Sequence, residues 1–418
     1  MPLSRPLAAV SLVALLAGCV SPTPSAGPAV EAEGVATAPM EAAPAPETAT
    51  RVGSYSGTVR RGVVTAGDID DSLNLASFAR YQKRTAGQTG LPRLGLGAPV
   101  IAVLTGPDGG TAPGARYTLR SPGAAEPFYS GYAGPDGRIT AFPQVLGAGA
   151  LGAVEIRVFD DAGQEIARQT LQTGKEQRLT LPKDAKWQPD FLDLVLVVDT
   201  TGSMGDEIAF LQKELIGVVR QAAGKAPGVS IRYGLVAYRD DGDDYVVKNY
   251  GFTTRAGEMN GWLRGLSAAG GGDYPEAAAA ALRAGVSLPW RKGKGERILL
   301  HIADAPPHDG DAAAYLRAAK SAAQQGVQIF GLGASGVAQE SEYLMRQAAL
   351  ATGGRYLFLT DDSGVGYSHA EPSIPCYRVT SLQDLLRQVL ATELSGHRQE
   401  AGSAIREVGS YSGGVCRD

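Results

Sequence analysis

Residues 191–198 form a near-continuous run of large apolar side chains, which breaks into Asp199-Thr200-Thr201-Gly202-Ser203-Met204. A strand that is apolar on both faces has to be buried on both faces, and that requires a largely parallel sheet covered by helices. The next residues keep to this plan. Ile208, Leu211, Leu215, Val218 and Val219 mark one face of a helix. Further strands are expected at 230–238, 298–302, 327–331 and 355–359, alternating with helices near 276–284, 312–325, 340–351 and 382–392. The predicted fold class is α/β, a doubly wound, Rossmann-like parallel sheet over 187–395. Its ligand site belongs at the carboxyl ends of the strands.

The turn that ends the first of these strands carries the Asp199 carboxylate and, two and four residues on, the Thr201 and Ser203 hydroxyls. At the end of a later strand Asp304 brings a second carboxylate to the same edge. A site of oxygen ligands suits a hard divalent cation, Mg²⁺ or Mn²⁺ in preference to Ca²⁺. The lack of His and Cys in this group argues against zinc.

The pattern Asp199-x-Thr201-x-Ser203 with Asp304 downstream resembles the metal-ion-dependent adhesion site of von Willebrand factor type A domains. Asp199-Thr200-Thr201-Gly202-Ser203-Met204, Ala237-Tyr238-Arg239-Asp240, Gly271-Gly272-Asp273-Tyr274-Pro275-Glu276 and Ile302-Ala303-Asp304-Ala305-Pro306-Pro307-His308 are especially similar to the subgroup found beside alpha-kinases. The resemblance covers about half of the chain and includes no kinase domain. It implies direct metal ligation by Thr201 and Ser203, with Asp199 and Asp304 acting through water or as weak direct ligands. The family's further threonine, on a Gly-rich loop, is replaced here by Asp273. Asp273 is read either as a ligand or as the N-cap of the helix that Pro275 opens. As a ligand it would neutralise the ion further and weaken its pull on a partner's carboxylate. The acidic loop of Asp240, Asp241, Asp243 and Asp244 is read as a solvated turn, with a second cation or selection of a basic partner as the alternative.

Ser203, His301 and Asp304 have the residue types of a hydrolase triad. The glycine two residues before the serine of a G-x-S-x-G elbow is missing, however, and His301 points to the opposite face of its strand from Asp304. No phosphate-binding or dinucleotide-binding glycine loop is present. The expectation is a binding protein and no enzyme: an envelope lipoprotein whose type A domain takes a divalent cation and engages another protein. The alternatives are an envelope-assembly subunit with a purely stabilising metal, and a serine hydrolase.

The envelope expectation comes from the start of the chain. Arg5, the apolar run 7–16 and the small Ala17 and Gly18 make a signal-peptide layout over 1–18. Leu16-Ala17-Gly18-Cys19 resembles a bacterial lipobox, which implies a lipid on Cys19 and a membrane anchor. Val20 after the cysteine favours the outer membrane over the inner. Residues 19–50 are Pro, Ala, Glu and Thr with almost no large apolar residue, a solvated tether. Residues 51–92 are expected to hold a short helical or irregular segment, with a helix capped near Asp70, Asp71 and Ser72 and carrying Leu73, Leu75, Phe78 and Tyr81. A calcium-loop reading of these acids fails, since Leu73 stands where an EF-hand needs glycine and Ala79 where it needs glutamate.

Over 93–185 short β runs alternate with turns, including Gly-Pro-Asp-Gly at 106–109 and again at 134–137. This reads as a small β-sandwich preceding the α/β domain, loosely similar to transthyretin-like or carboxypeptidase-regulatory-like modules. In the tail, 396–418, Cys416 and Cys376 are the pair left once Cys19 is lipidated, read as a disulfide with two free thiols as the alternative. Val-Gly-Ser-Tyr-Ser-Gly occurs at 52–57 and again at 408–413, read as two segments that pair or as loose termini. Lys+Arg 39 against Asp+Glu 43 gives a net charge of -4, so nothing draws the chain to nucleic acid.

Overall fold

The computed structural model describes residues 63–272, 274–334, 336–363, 372–400 and 403–417. The signal layout, Cys19, the tether, the first Val-Gly-Ser-Tyr-Ser-Gly copy and Asp273 lie outside the described residues.

In chain order the first elements are β1 (Thr65–Ile69) and α1 (Leu75–Thr89). There follow β2 (Val100–Thr105), β3 (Arg116–Arg120), β4 (Tyr129–Tyr132), β5 (Arg138–Ala141), β6 (Ala153–Phe159), β7 (Glu165–Gln172) and β8 (Glu176–Thr180). The α/β part runs β9 (Phe191–Asp199), α2 (Gly205–Ala223), β10 (Ser230–Tyr238), β11 (Val247–Thr253), α3 (Ala256–Arg264), α4 (Ala278–Val286), β12 (Gly295–Ala303) and α5 (Ala312–Gln325). It continues with β13 (Gln328–Gly333), α6 (Gln339–Thr352), β14 (Tyr356–Thr360), β15 (Tyr377–Ser381) and α7 (Leu382–Ser395). The tail holds β16 (Arg406–Val408), β17 (Ser410–Ser412) and β18 (Val415–Arg417).

Among the described residues nine strands form one sheet in the order β11-β10-β9-β12-β13-β14-β1-β15-β16. Strands β10, β9, β12, β13 and β14 are mutually parallel, and β11, β1 and β16 pair antiparallel with their neighbours. The apolar run of β9 divides between two cores, as burial on both faces demands. Leu192, Leu194, Leu196 and Val198 pack with α2, α3 and α7 through Leu211, Leu215, Leu263 and Leu386. Val195 and Val197 share the other core with Ala281, Leu282, Ala319 and Met345 of α4, α5 and α6. Helix α4 is built from Ala and Gly because it lies close on the sheet: a Cβ on Gly285 would stand 2.7 Å from Val197.

Residues 93–185 fold as two facing sheets, β5-β2-β8 and β4-β3-β6-β7. Their inward residues alternate, Val154, Ile156 and Val158 on β6 against Val100, Ala102 and Leu104 on β2, and all are buried.

The boundary expected at residue 92 is corrected by the topology. Strand β1 is not part of a separate irregular segment: it lies inside the large sheet, pairing Thr65 with Thr360 on one side and with Ser381 on the other. The sandwich is therefore inserted after β1 and α1 of the α/β unit. The reason lies in burial and charge. All of β1 is buried, yet it reads Thr-Ala-Gly-Asp-Ile, and the Asp68 charge is met by Arg355 at 3.4 Å.

The acids that follow are also ion-pair partners. Asp70 accepts from Arg398 at 2.9 Å, and Arg346, only 1% exposed, grips Asp71 through two nitrogens at 3.0 and 2.8 Å. Burial alone would raise the Asp70 carboxyl, but Arg355 and Arg398 hold it below the usual range. Helix α1 starts after Asn74 with no side-chain cap; Ser72 donates to Asp70 instead.

The expected tail is tied down as well. Strand β16 extends the sheet from β15, and a disulfide joins Cys376 to Cys416 with Cα atoms 5.4 Å apart. Asn74 clamps the same turn, donating to the Gly414 carbonyl and accepting from the Cys416 amide, each at 2.8 Å. The second Val-Gly-Ser-Tyr-Ser-Gly copy spans the end of β16 and β17, and β17 pairs with β18 as a hairpin.

Candidate metal centre

Because β9, β10 and β12 run parallel, their carboxyl ends meet at one edge of the sheet. Asp199 closes β9 and is fully buried; Asp304 follows β12 and is 5% exposed. The turn after β9 folds back on its own carboxylate: Asp199 Oδ1 accepts from the Thr201 amide at 2.9 Å and the Thr201 hydroxyl at 2.7 Å. Ser203, exposed on the next turn, brings its hydroxyl close enough to the Asp304 carboxylate to lower its pKa. The structure thus brings together Asp199, Thr201, Ser203 and Asp304. Asp273, the remaining expected ligand, lies outside the described residues.

A third carboxylate, absent from the expected set, belongs here. Glu276 is 4% exposed, and its side chain faces the Thr201 hydroxyl. The amide of Glu276 donates to the Pro306 carbonyl at 2.9 Å, which ties it to the loop that carries Asp304. The available signal is a charged residue directly after Pro275 at the end of a Gly-rich loop, a placement it shares with the first turn of an ordinary helix.

The Gly-rich loop reaches the site because it has no side chains to obstruct it. Gly270 and Gly271 adopt φ of +79° and +77°, and a Cβ on Gly271 would stand 3.1 Å from Glu276 Oε1 and 3.2 Å from Thr201 Cβ. Gly202 donates to the Gly270 carbonyl at 3.2 Å and Ala269 to that of Thr200 at 3.1 Å.

The acidic loop after β10 is not a free turn. The Asp243 carboxylate accepts from the amides of Gly271 and Asp240, at 3.0 and 3.1 Å, and these bonds hold it below the usual carboxylate range. Asp240 is buried against His308, and Asp244 meets Arg239 at 3.3 Å. Asp241 and Asp244 are the exposed, solvated acids of this loop.

Electrostatically the centre is under-compensated. Burial raises Asp199 to about 7, with the Asp304 charge adding and the Thr201 bonds opposing. Burial, then the charges of Asp199 and Asp240, lifts Glu276 to about 9. Burial also raises Asp304, against the opposing pull of the nearby Ser203 hydroxyl. Among the described residues, Asp199 Oδ2, Glu276 Oε2 and Asp304 Oδ1 are all buried and without a hydrogen-bond partner. Buried oxygens of this kind want a cation or a proton. Among the described residues no three Asp, Glu, His or Cys side chains close on one point as ligands, so a coordination set here has to draw on the hydroxyls of Thr201 and Ser203.

A doubly wound sheet with an oxygen-lined centre at its strand ends defines the class. Residues 193–361 match the von Willebrand factor A domain family, and this part of the chain is such a domain. A putative ariadne-like RING finger protein of Acanthamoeba polyphaga mimivirus is 33% identical over 117 residues, covering 28% of this chain and 11% of the relative. Alpha-protein kinase vwkA of Dictyostelium discoideum is 29% identical over 118 residues, covering 28% and 19%. The chain thus spans about a tenth and about a fifth of these relatives' lengths. Among solved structures, the pilus adhesin SpaC from Lactobacillus rhamnosus GG aligns with TM-score 0.34 at 15% identity, covering 58% of this chain and 32% of that one. BatB from Bacteroides thetaiotaomicron aligns with TM-score 0.34 at 16% identity, covering 48% and 97%. Likenesses of that size carry no function over to this chain. Among the described residues no helix is long and apolar enough to cross a membrane.

Proposed function

We propose that the chain is a lipid-anchored envelope protein whose von Willebrand factor A domain binds one Mg²⁺ or Mn²⁺ and uses it to dock another protein. The observation that carries the reading is the set of three buried carboxylate oxygens, without partners among the described residues, beside the Thr201 and Ser203 hydroxyls. These residues fit a hard cation. Thr201 and Ser203 would hold it through their hydroxyls, with Asp199 and Asp304 ligating directly or through water, and Asp273 as a further candidate from the Gly-rich loop. When bound, the ion offers a coordination position to an oxygen of the partner, such as an Asp or Glu side chain. The exposed ring of Tyr274, 52% accessible on the same loop, supplies an aromatic contact beside it.

Binding is favoured over catalysis by the position of His301. Both its ring nitrogens face tyrosine hydroxyls within the core, which leaves neither for Ser203. The signal layout before Cys19 and the lipobox resemblance support anchoring at the envelope, on the outer membrane in preference to the inner.

The test pairs calorimetry with capture. The purified protein should take up one Mg²⁺ or Mn²⁺, and Asp199→Ala and Asp304→Ala should each weaken uptake while circular dichroism stays unchanged. A partner captured from envelope extracts in Mg²⁺ should be lost in EDTA. Metal affinity unchanged in both variants would refute the site, and a partner retained in EDTA would refute the docking role.

A further inference from the structure

Beneath the candidate centre lies a buried chain of three side chains. Tyr238, at the end of β10, is in register with Asp199 on β9, and His301 on β12 is in register with Val197. Parallel neighbours in register share a face of the sheet, so the Tyr238 ring spans β9 below Asp199 to reach His301. The Tyr238 hydroxyl stands 3.1 Å from His301 Nε2, and His301 Nδ1 stands 2.9 Å from the Tyr315 hydroxyl on α5. None of the three is more than 1% exposed.

Their protons can be accounted for one by one. Burial holds the His301 ring neutral, with its pKa down at about 3, so it carries one N–H and one acceptor nitrogen. Two orders satisfy both contacts. In the first, Tyr238 donates to Nε2 and Nδ1–H donates to the Tyr315 oxygen. The Tyr315 proton is then stranded, since among the described residues its hydroxyl has no second partner, and Asp199 Oδ2 stays bare. In the second, Tyr315 donates to Nδ1 and Nε2–H donates to the Tyr238 oxygen. The Tyr238 proton is then free to turn toward Asp199, which lies close enough for each group to act on the other's charge. Only the second order turns the last buried proton of the chain toward the Asp199 carboxylate, where the first strands it at Tyr315.

We infer that Tyr315, His301 and Tyr238 form a directed hydrogen-bond relay, with His301 as the Nε2–H tautomer, that positions Asp199 for the ion and ties its orientation to helix α5. The relay rests on the proposed metal reading only for its purpose; the order of its protons does not depend on the ion. Tyr238, His301 and Tyr315 are positioning residues. They bond to one another in series, with Tyr238 near enough to act on the Asp199 carboxylate, and leave the ligand positions to the turn after β9. Partners outside the ligand shell are worth roughly 10–100-fold in metal affinity where they orient a ligand.

The test uses the full chain and two independent measurements. Nitrogen-15 spectra of histidine-labelled protein, with His301 assigned through His301→Gln, should show the Nε2–H tautomer without metal, and Tyr315→Phe should shift the ring away from it. An Nδ1–H tautomer in the wild type overturns the relay. In Mg²⁺ calorimetry, Tyr238→Phe should weaken binding by roughly 10–100-fold, and Tyr315→Phe should weaken it in the same direction. Wild-type affinity in both variants overturns the positioning role. A wild type that takes up no Mg²⁺ refutes the metal reading, and the tautomer then decides the proton order alone.

Discussion

At the scale of single residues, the domain places charge where it is costly and compensates it unevenly. Asp193, fully buried in β9, is compensated: Arg232 reaches it at 2.6 Å and Arg291 from a second direction, and together they hold its carboxyl low against the pull of burial. His301 is buried by remaining neutral. Its folded pKa of about 3 lies below the ordinary value of 6.5, so the unfolded chain binds a proton that the folded chain refuses. Stability from this residue is present above pH 6.5 and is lost as pH falls toward 3, at about 1.4 kcal/mol per pH unit. Between pH 7 and pH 4.5 the wild type should therefore lose about 2–3 kcal/mol more than His301→Gln. Denaturant melts at the two pH values measure this, and equal losses would show that His301 is not the buried neutral ring described.

At the scale of elements, the candidate centre depends on how the Gly-rich loop is held. Asp243 accepts two backbone amides, one of them from Gly271. Without them the loop opens locally more often. Asp243→Ala should speed amide exchange at Gly271 by tenfold or more and leave the sandwich amides unchanged. Exchange at Gly271 as slow as in the wild type would mean that the loop holds its own shape.

The elements also show what the sequence makes legible. Strands β9, β10 and β12 to β14 were readable because each is apolar for most of its length, and α5 because its buried face recurs at helical spacing. Strand β11 was not, since it lies at the sheet edge, half exposed and interrupted by Gly251, and short α3 carries two glycines. Asp199, Thr201, Ser203 and Asp304 announced themselves by spacing at strand ends. Glu276 did not, because nothing local distinguishes a buried glutamate from the first turn of a solvated helix. The salt-bridged acids of 68–71 looked like a cap or a failed calcium loop, since their arginine partners lie some 275 to 328 positions away.

For the whole molecule, the α/β unit extends well beyond the span that its apolar strands mark out. Strand β1 fills the place between β14 and β15, and Asp71 neutralises the buried Arg346. Removing one member of a buried pair costs about 3–5 kcal/mol. A fragment of residues 187–395 would lack β1, Asp71 and the disulfide partner Cys416, and should melt without a cooperative transition where residues 63–418 melt sharply. Calorimetric scans compare the two, and a sharp transition for the short fragment would mean that β1 is dispensable.

The position of β1 also sets a timetable for folding. Thr65 pairs with Thr360, so the first strand of the sheet is made nearly 300 residues before its neighbour exists. Until then its two edges stay open to any other strand, a hazard that a mixed Gly and Asp sequence reduces by pairing poorly elsewhere. The sandwich, whose strands pair among themselves, needs nothing made later for its own sheets. The large sheet is closed late, by a slow long-range docking step that awaits the far end of the chain.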